Sequence, residues 1–333
     1  MDLSQLLPSV IIPTFYSVAV ILGLPLNLLA VCILASKKKD SMSVYMVNLA
    51  AADTSFLLVL PMKIVYHLKG NHWSLPGFFC RVYTMTFFST LYTATMLVAA
   101  ISMDRYLAIV HPLWVTGWRK TRTAWIVSAV IWTLAVSHSV PSNFVTILSV
   151  ANATNNSSDP PRIICYEAFT KEDLDFLVPF RLFLFVTLYF TSLVVTLFSY
   201  GNIIRVLVTS QQSNQEKKSR ATKITVVSIL IYVFCFSPYN ATHLVAFASS
   251  KMSNFSYHAI SILRDITLCL CSLNSLFDPL IIYIASSAFR SSVKNIFSCV
   301  PMPTAPSSHA LLAPRGGWDR VPGTGLLRLS KAE

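Results

Sequence analysis

The sequence predicts an all-α membrane protein: a bundle of seven transmembrane helices followed by a short interfacial helix near the C-terminus. Of the 333 residues, 54% are apolar and only 12% are charged, whereas an ordinary soluble domain is about 25% charged. The apolar residues form runs, each long enough to cross a hydrocarbon core of about 30 Å as a helix. A water-soluble enzyme, a disordered chain and a fibrous protein are therefore not expected.

The apolar runs give the helices in chain order. The third, fifth and sixth runs contain polar residues, so we expect these helices to pack against others rather than face lipid all round. The first run is longer than the apolar part of a signal peptide and has no basic segment before it, so we interpret it as the first membrane helix. The predicted helices are residues 10–35, 42–67, 78–110, 124–145, 176–208, 224–248 and 259–284.

The basic residues, which give the chain a net charge of +12, concentrate in alternate loops. Loops rich in Lys and Arg stay on the cytoplasmic side, so the N-terminus is predicted outside and the C-terminus inside. The positive charge then reports topology, and nucleic-acid binding is not expected. The residues of the basic loops are Lys37, Lys38, Lys39, Arg119, Lys120, Arg122, Lys217, Lys218, Arg220, Lys223, Arg290 and Lys294.

Acceptor sequences for N-glycosylation agree with this orientation, because they fall in loops assigned to the outside. The acceptor asparagines are Asn152, Asn155, Asn156 and Asn254. Each sequence is a weak signal alone. The three between the fourth and fifth helices support the assignment as a group.

The segment after the seventh helix is predicted to lie on the membrane surface and contact lipid. Residues 286–297 place apolar and basic side chains on opposite faces, as an interfacial helix does. Cys299 follows directly and is either a palmitoylation site or an apolar filler. Residues 1–298 are thus predicted to form one domain, and residues 299–333 a disordered cytoplasmic tail.

Several short motifs lie at particular positions in the predicted helices. Each is weak alone, since an Asp beside an Arg is common at any helix end. The motifs are Asp104-Arg105-Tyr106 ending the third helix, Pro238 in the sixth, Asp278-Pro279 to Tyr283 ending the seventh, and Asn27, Asp53 and Trp132 in the first, second and fourth. In this order they resemble the rhodopsin-like (class A) G-protein-coupled receptors over residues 10–297.

The resemblance implies a receptor rather than an enzyme, with no cofactor and with a heterotrimeric G protein as partner. The Gi/o class is expected, Gq is the alternative, and arrestin is a further partner that the resemblance allows. Asp104, Arg105, Tyr106 and Tyr283 would then belong to the activation machinery. Pro238 removes a backbone hydrogen bond, and so does Pro279, which gives helices six and seven bends at which to pivot.

An ionisable residue in mid-membrane is expensive and usually functional. In this fold a small site for water or Na⁺ is predicted, and a buried hydrogen-bond network is the equally weighted alternative. The residues of this predicted polar site are Asn27, Asp53, Thr90, Asn274 and Asp278.

The sequence departs from the family pattern at three positions. Ser192 stands where helix five usually has Pro, and Ala94 where many relatives carry a Ser hydroxyl for sodium. Lys218 replaces an acid at the foot of helix six, which excludes an ionic latch to Arg105. The resemblance also implies a disulfide between Cys80 and Cys165, both on the predicted outer side, where cysteines can oxidise.

Three basic residues in the outer halves of neighbouring helices predict an anionic ligand. These are Arg181 in helix five, His243 in helix six and Arg264 in helix seven. A single Arg near a membrane edge often only reaches for water, but three at one depth favour a binding site. Guanidinium groups match carboxylate or phosphate in a bidentate manner.

Stretches 165–170, 179–182 and 237–245 resemble the free fatty acid receptors, in particular their short-chain branch. This resemblance implies that Arg181 and Arg264 clamp a small carboxylate, with His243, Tyr239 and His138 around it. Glu167 is interpreted as a balancing charge that pairs with an Arg in the empty pocket, or else as a solvated loop acid.

Other functions remain open at this point. A receptor for a nucleotide or a longer-chain fatty acid is one alternative, since residues 70–80 also resemble protease-activated and nucleotide receptors. A carboxylate transporter or channel is another, although no internal repeat of the kind found in many transporters is evident. The motifs of common hydrolases, HExxH and GxSxG, are missing.

Overall fold

The computed structural model describes residues 6–36, 40–111, 120–141, 145, 148–151, 162–167, 169–209, 215–250, 257–285 and 287–298. Within these ranges the chain forms a helical bundle with one two-stranded hairpin. The elements are α1 Leu7–Ala35, α2 Ser41–Leu68, α3 Gly77–Val110, α4 Thr121–Ser137, β1 Leu148–Ala151, β2 Arg162–Cys165, α5 Lys171–Thr209, α6 Gln215–Ser249, α7 Tyr257–Ala285 and α8 Ser287–Ser298.

The seven-helix prediction is confirmed. Six of the described helices are long and apolar enough to cross a membrane, and α4, with 17 residues, is shorter. The interfacial helix is present as α8, within one residue of its predicted bounds. The predicted acceptor asparagines Asn152, Asn155, Asn156 and Asn254 lie outside the described residues, and so do Cys299 and the tail.

The predicted fourth helix, residues 124–145, is wrong at its end because α4 stops at Ser137. The hydroxyl groups of Ser137 and Ser139 donate to carbonyl oxygens of the last turn. Such local bonds compete with helix continuation, and Pro141 lacks the N–H that a further turn needs. His138 therefore sits just past the end of α4 rather than inside it.

Local sequence fixes several helix starts and bends. Asp40 accepts a hydrogen bond from the Ser43 N–H at 3.0 Å to begin α2, and Thr170 with Asp173 forms a capping box for α5. Inside α5 a π-helical turn, Phe185–Phe190, precedes Ser192. The Ser192 hydroxyl donates to the Leu188 carbonyl at 2.6 Å, so a serine rather than a proline follows the irregular turn, and Pro179 lies earlier in the same helix.

Polar side chains connect the helices in the bundle interior. Trp132 Nε1 donates to Asn48 at 3.1 Å and joins α4 to α2. Asn27 donates to the Ser275 carbonyl at 2.7 Å and joins α1 to α7. Bonds of this kind hold helices together where lipid removes the hydrophobic driving force between them.

The hairpin of β1 and β2 lies across one end of the bundle, which we call the hairpin end. The strands are antiparallel, with Leu148 opposite Cys165. Cys165 is disulfide-bonded to Cys80 at the start of α3, which confirms the predicted bridge. The Trp73 N–H donates to the Ile163 carbonyl at 2.8 Å, so the α2–α3 connection also holds the hairpin.

Candidate ligand site

Arg181 lies beside a cavity under the hairpin. Its guanidinium group lies over the rings of Tyr166 and Phe169, with its central carbon 5.5 and 5.3 Å from their centroids. Both contacts are cation–π interactions, and a guanidinium group in such contacts can still donate hydrogen bonds to a ligand. The cavity, about 310 Å³ including its open mouth, is lined by Phe88, Tyr92, His138, Tyr166, Phe180, Arg181, Leu184 and Tyr239.

Aromatic rings form most of the cavity wall. The Phe88 ring stacks with that of Tyr239 at 6.5 Å, and the Tyr92 ring meets His138 edge to face at 4.8 Å. Tyr239 is only 2% exposed. Sequence analysis predicted that His138 and Tyr239 belong to one site, and the structure brings both beside Arg181.

Arg264 and His243 lie next to this cavity but do not line it. Both are buried, and the His243 ring is 4.9 Å from that of Tyr239. Arg264 donates to Ser261 at 3.3 Å on its own helix. Both guanidinium groups, from Arg181 and Arg264, are close enough to act electrostatically on His243. The predicted residues therefore lie around Tyr239, on which Arg181 and Arg264 both act electrostatically.

Glu167 forms its ion pair with Lys63 of α2, which corrects the predicted arginine partner. Tyr66 also donates to Glu167, at 2.7 Å. Burial by itself raises the pKa of the Glu167 carboxyl, but the Lys63 ammonium and the Tyr66 hydroxyl more than offset it, so the pKa lies below its ordinary value. Glu167 is thus an anion held by α2, and not a solvated loop acid.

Four residues at this end of the bundle were not among the predicted site residues: Lys63, Tyr66, Tyr166 and Phe169. The sequence does mark Lys63, because a lysine inside an apolar run is an intramembrane ionisable residue that needs a partner. Tyr166 has a backbone φ of 56°, the left-handed region that bulky residues seldom adopt. It lies between the disulfide-bonded Cys165 and Glu167, where no sequence pattern marks such a turn.

The opposite end of the bundle contains a second cavity, of about 460 Å³, which we call the Arg105 cavity. Arg105, Tyr200, Asn274 and Asp278 contribute its polar lining. Next to it, Asp104 accepts a hydrogen bond from Ser41 at 2.7 Å, and the Tyr106 hydroxyl is 3.0 Å from His111 Nε2. Tyr283 lies near the end of α7, where its carbonyl accepts from Arg290 at 3.1 Å.

The predicted polar site comes together between α1, α2, α3 and α7. Ser275 donates to Asp53 at 3.0 Å, and Asn274 donates to Asp278 at 2.5 Å. A space of about 220 Å³ is lined in part by Asp53, Thr90, Ala94 and Asn274. Neighbouring buried carboxyl groups suit either a cation or a shared proton. Because Ala94 offers no oxygen ligand, sodium binding stays a prediction.

Comparison with known proteins decides the family. The family model described as "7 transmembrane receptor (rhodopsin family)" matches residues 26–283, which is most of the chain and nearly the whole bundle. The chain belongs to the rhodopsin family of seven-transmembrane receptors. It is therefore a class A G-protein-coupled receptor and a multi-pass protein of the plasma membrane, and it is not an enzyme.

Two groups of named receptors are similar to this receptor. It is 34% identical to proteinase-activated receptor 1 of Xenopus laevis over 86% of its own chain and 67% of that protein. It is 32% identical to free fatty acid receptor 2 of Mus musculus, over 85% and 83% of the two chains. It is 30% identical to free fatty acid receptor 3 of Rattus norvegicus, over 86% and 89%. These similarities confirm the resemblance to the free fatty acid receptors.

Proposed function

We propose that this receptor responds to a small monocarboxylate held by Arg181 and Arg264, with His243 as an additional donor. The observation that carries the proposal is the charge balance at the hairpin end. Lys63 and Glu167 compensate each other. Two guanidinium groups, from Arg181 and Arg264, then act on the Tyr239 and His243 rings, and an anion at this position would be stabilised by both.

Asp265 does not cancel the preference of the hairpin end for an anion. It follows Arg264 in α7 and is close enough to interact with it, so it offsets one positive charge at most. One surplus positive charge remains among these described residues. A carboxylate that leaves water needs charge-assisted hydrogen bonds, and the two guanidinium groups supply them.

The cavity favours a short ligand. Its space of about 310 Å³ includes the open mouth, so the volume enclosed by protein is smaller than this, whereas ligand pockets usually measure about 300–1,000 Å³. Phe88 and Tyr239 form part of its wall. A long acyl chain would need these rings to move. The names of the related free fatty acid receptors agree with a fatty acid as the ligand.

The proposal extends to signalling. The Arg105 cavity would open towards the cytoplasm when α6 swings outward, and a Gi/o protein would contact Arg105 there, with Gq as the alternative and arrestin as a further partner. The basic residues from Lys217 to Lys223, in the first turns of α6, would lie beside this contact. The hairpin end is then extracellular, as the positive-inside rule predicts.

The ligand is tested by comparing acids with their uncharged derivatives. Cells expressing the receptor would be exposed to acetate, propionate, butyrate, hexanoate and dodecanoate, to their methyl esters, and to ADP and UTP. Nucleotide exchange on the G protein is the readout. We expect a response to the short acids only. A methyl ester as potent as its acid would contradict the carboxylate clamp, and a response confined to ADP or UTP would favour the nucleotide alternative.

A receptor that responds to a proteinase is the second candidate, favoured by the 34% identity to proteinase-activated receptor 1. The same cells would be treated with trypsin in the absence of any acid. A response to trypsin but to none of the acids would support this candidate over the first.

A further inference from the structure

His138 is a buried side chain that the carboxylate clamp does not explain. It is 8% exposed and lies just past the end of α4. Its ring contacts the edge of Tyr92 and lines the same cavity as Arg181. Both ring nitrogens are buried, and neither has a hydrogen-bond partner among the residues that the structure describes.

Neighbouring groups in the described part of the chain do not supply the missing bonds. The carbonyl oxygens of Leu134 and Ala135 are near the ring, yet neither forms a hydrogen bond of acceptable geometry with it. The Leu134 carbonyl already accepts from the His138 N–H at 3.3 Å and from the Ser137 hydroxyl at 2.9 Å. Buried polar groups without partners are rare in native proteins, and each calls for an explanation.

We propose that the ligand is a small hydroxycarboxylate, whose carboxylate binds Arg181 and whose hydroxyl group binds His138 in the same cavity. This inference rests on the proposed function and narrows it. A neutral imidazole has one donor and one acceptor nitrogen, and a hydroxyl group both donates and accepts, so it fits either tautomer. An alkyl chain alone would leave both nitrogens unsatisfied.

The test compares acids that differ only in the hydroxyl group. The potency of butyrate is measured against 2-, 3- and 4-hydroxybutyrate on the unaltered receptor, on His138→Phe and on His138→Gln. Phenylalanine keeps an aromatic ring against Tyr92 without nitrogen atoms, and glutamine keeps a donor and an acceptor. Ser137→Ala is the matched control, because that serine is exposed and one residue away.

On the unaltered receptor, at least one hydroxybutyrate is expected to be about tenfold more potent than butyrate, the effect of one buried hydrogen bond. This ratio should fall to about one in His138→Phe, recover partly in His138→Gln, and be retained in Ser137→Ala. The readout is the ratio of hydroxybutyrate potency to butyrate potency in each variant, so a change in the potency of butyrate alone does not decide the test.

The outcomes separate this inference from the proposed function. If butyrate acts through Arg181 but every hydroxybutyrate is equal to it or weaker, the hydroxycarboxylate is wrong and the monocarboxylate stands. If no acid of either series activates the receptor, both are wrong.

A second measurement needs no ligand. An unpartnered imidazole predicts that His138→Phe leaves the melting temperature of the purified receptor unchanged or raises it, whereas a clear fall would show that bound water or protein already satisfies His138 and would overturn the inference.

Discussion

At the scale of single residues, the pairing of Lys63 with Glu167 explains how α2 tolerates a lysine in an apolar run. The ammonium group bonds the Glu167 carboxylate and lies 4.5 Å from the centroid of the Tyr66 ring. The side chains are only 7% and 16% exposed. The pair therefore joins α2 to the segment after the hairpin, and it should matter for stability mainly when one member is lost.

Replacing Lys63 with methionine should destabilise the receptor, because Glu167 would remain as an uncompensated, mostly buried charge. The expected loss is about 3 kcal/mol, the lower end for a broken buried pair. Thermal unfolding of the purified receptor measures it. Lys69→Met is the control, since Lys69 is exposed and its ammonium group donates to the exposed Ser74 hydroxyl. The double change Lys63→Met with Glu167→Gln should recover much of the loss, and additive losses would contradict the pairing.

The same pair predicts a pH dependence. The pKa of Glu167 lies below its ordinary value of 4.5, so its carboxylate contributes stability that is fully present above about pH 4.5 and lost as pH falls through the folded-state pKa. The melting temperature of Glu167→Gln should thus be lower than that of the unaltered receptor by a constant amount from pH 7 to 5, and the difference should shrink at lower pH. A difference that persists to about pH 2 would contradict this account.

At the scale of elements, Arg290 shows how α8 is attached to the bundle. Its guanidinium group donates to the carbonyl oxygens of Tyr283 and Ile284, at 3.1 and 2.6 Å. These are carbonyls of the last turn of α7, which lack helical partners and favour a nearby positive charge. Phe289, next to Arg290, is 4% exposed and anchors the same helix.

Arg290→Ala should therefore loosen the α7–α8 junction. We expect a loss of about 1 kcal/mol, because the bonds are charge-assisted but partly exposed. Thermal unfolding compares it with Lys294→Ala, one turn further along α8 and exposed. Equal effects of the two changes would show that the positive charge matters and the capping geometry does not.

The elements also show what hydropathy can predict. Six of the described helices contain the apolar runs predicted from the sequence, because a run of apolar residues long enough to cross the membrane is sufficient to predict a helix. For the fourth run, residues 124–145, hydropathy predicts helix beyond Ser137 because Val140 and Val145 are apolar, although Pro141 stands between them. Conversely, α5 begins at Lys171 and α6 at Gln215, earlier than predicted. Their polar first turns are stabilised as helix without contributing apolar residues that hydropathy could count.

At the scale of the whole molecule, the hairpin decides which site residues meet. The positions of Arg181, His243 and Arg264 along α5, α6 and α7 predict that the three lie at one depth in the membrane, and both arginines act electrostatically on His243. The partner of Glu167 could not be predicted, because the path of the segment after β2 depends on the Cys80–Cys165 disulfide and on the left-handed backbone of Tyr166. Long-range constraints of this kind leave no local sequence pattern.

Orientation in the membrane is a prediction for the molecule as a whole. An epitope tag after Glu333 should be stained only in permeabilised cells, and a tag before Met1 should be stained in intact cells, because the basic loops hold their end of the bundle in the cytoplasm. Staining of the C-terminal tag on intact cells would reverse the assignment.

Signal transfer between the two ends gives a further prediction. Arg105→Ala should abolish G-protein activation while ligand binding at the hairpin end is largely retained, because Arg105 lines the cavity at the opposite end of the bundle. Nucleotide exchange and binding of labelled butyrate would be measured at matched surface expression. Unchanged nucleotide exchange would remove Arg105 from the proposed contact.

Whether Arg181 and Arg264 hold the ligand carboxylate is measured by the butyrate concentration–response of the two alanine variants. Losing one partner of a desolvated charge pair costs about 2–5 kcal/mol, so Arg181→Ala and Arg264→Ala should each lower potency roughly thirtyfold or more. Arg81→Ala is the control, since Arg81 is an exposed arginine near the hairpin end. Potencies within about twofold of the unaltered receptor for all three variants, at equal surface expression, would contradict the claim.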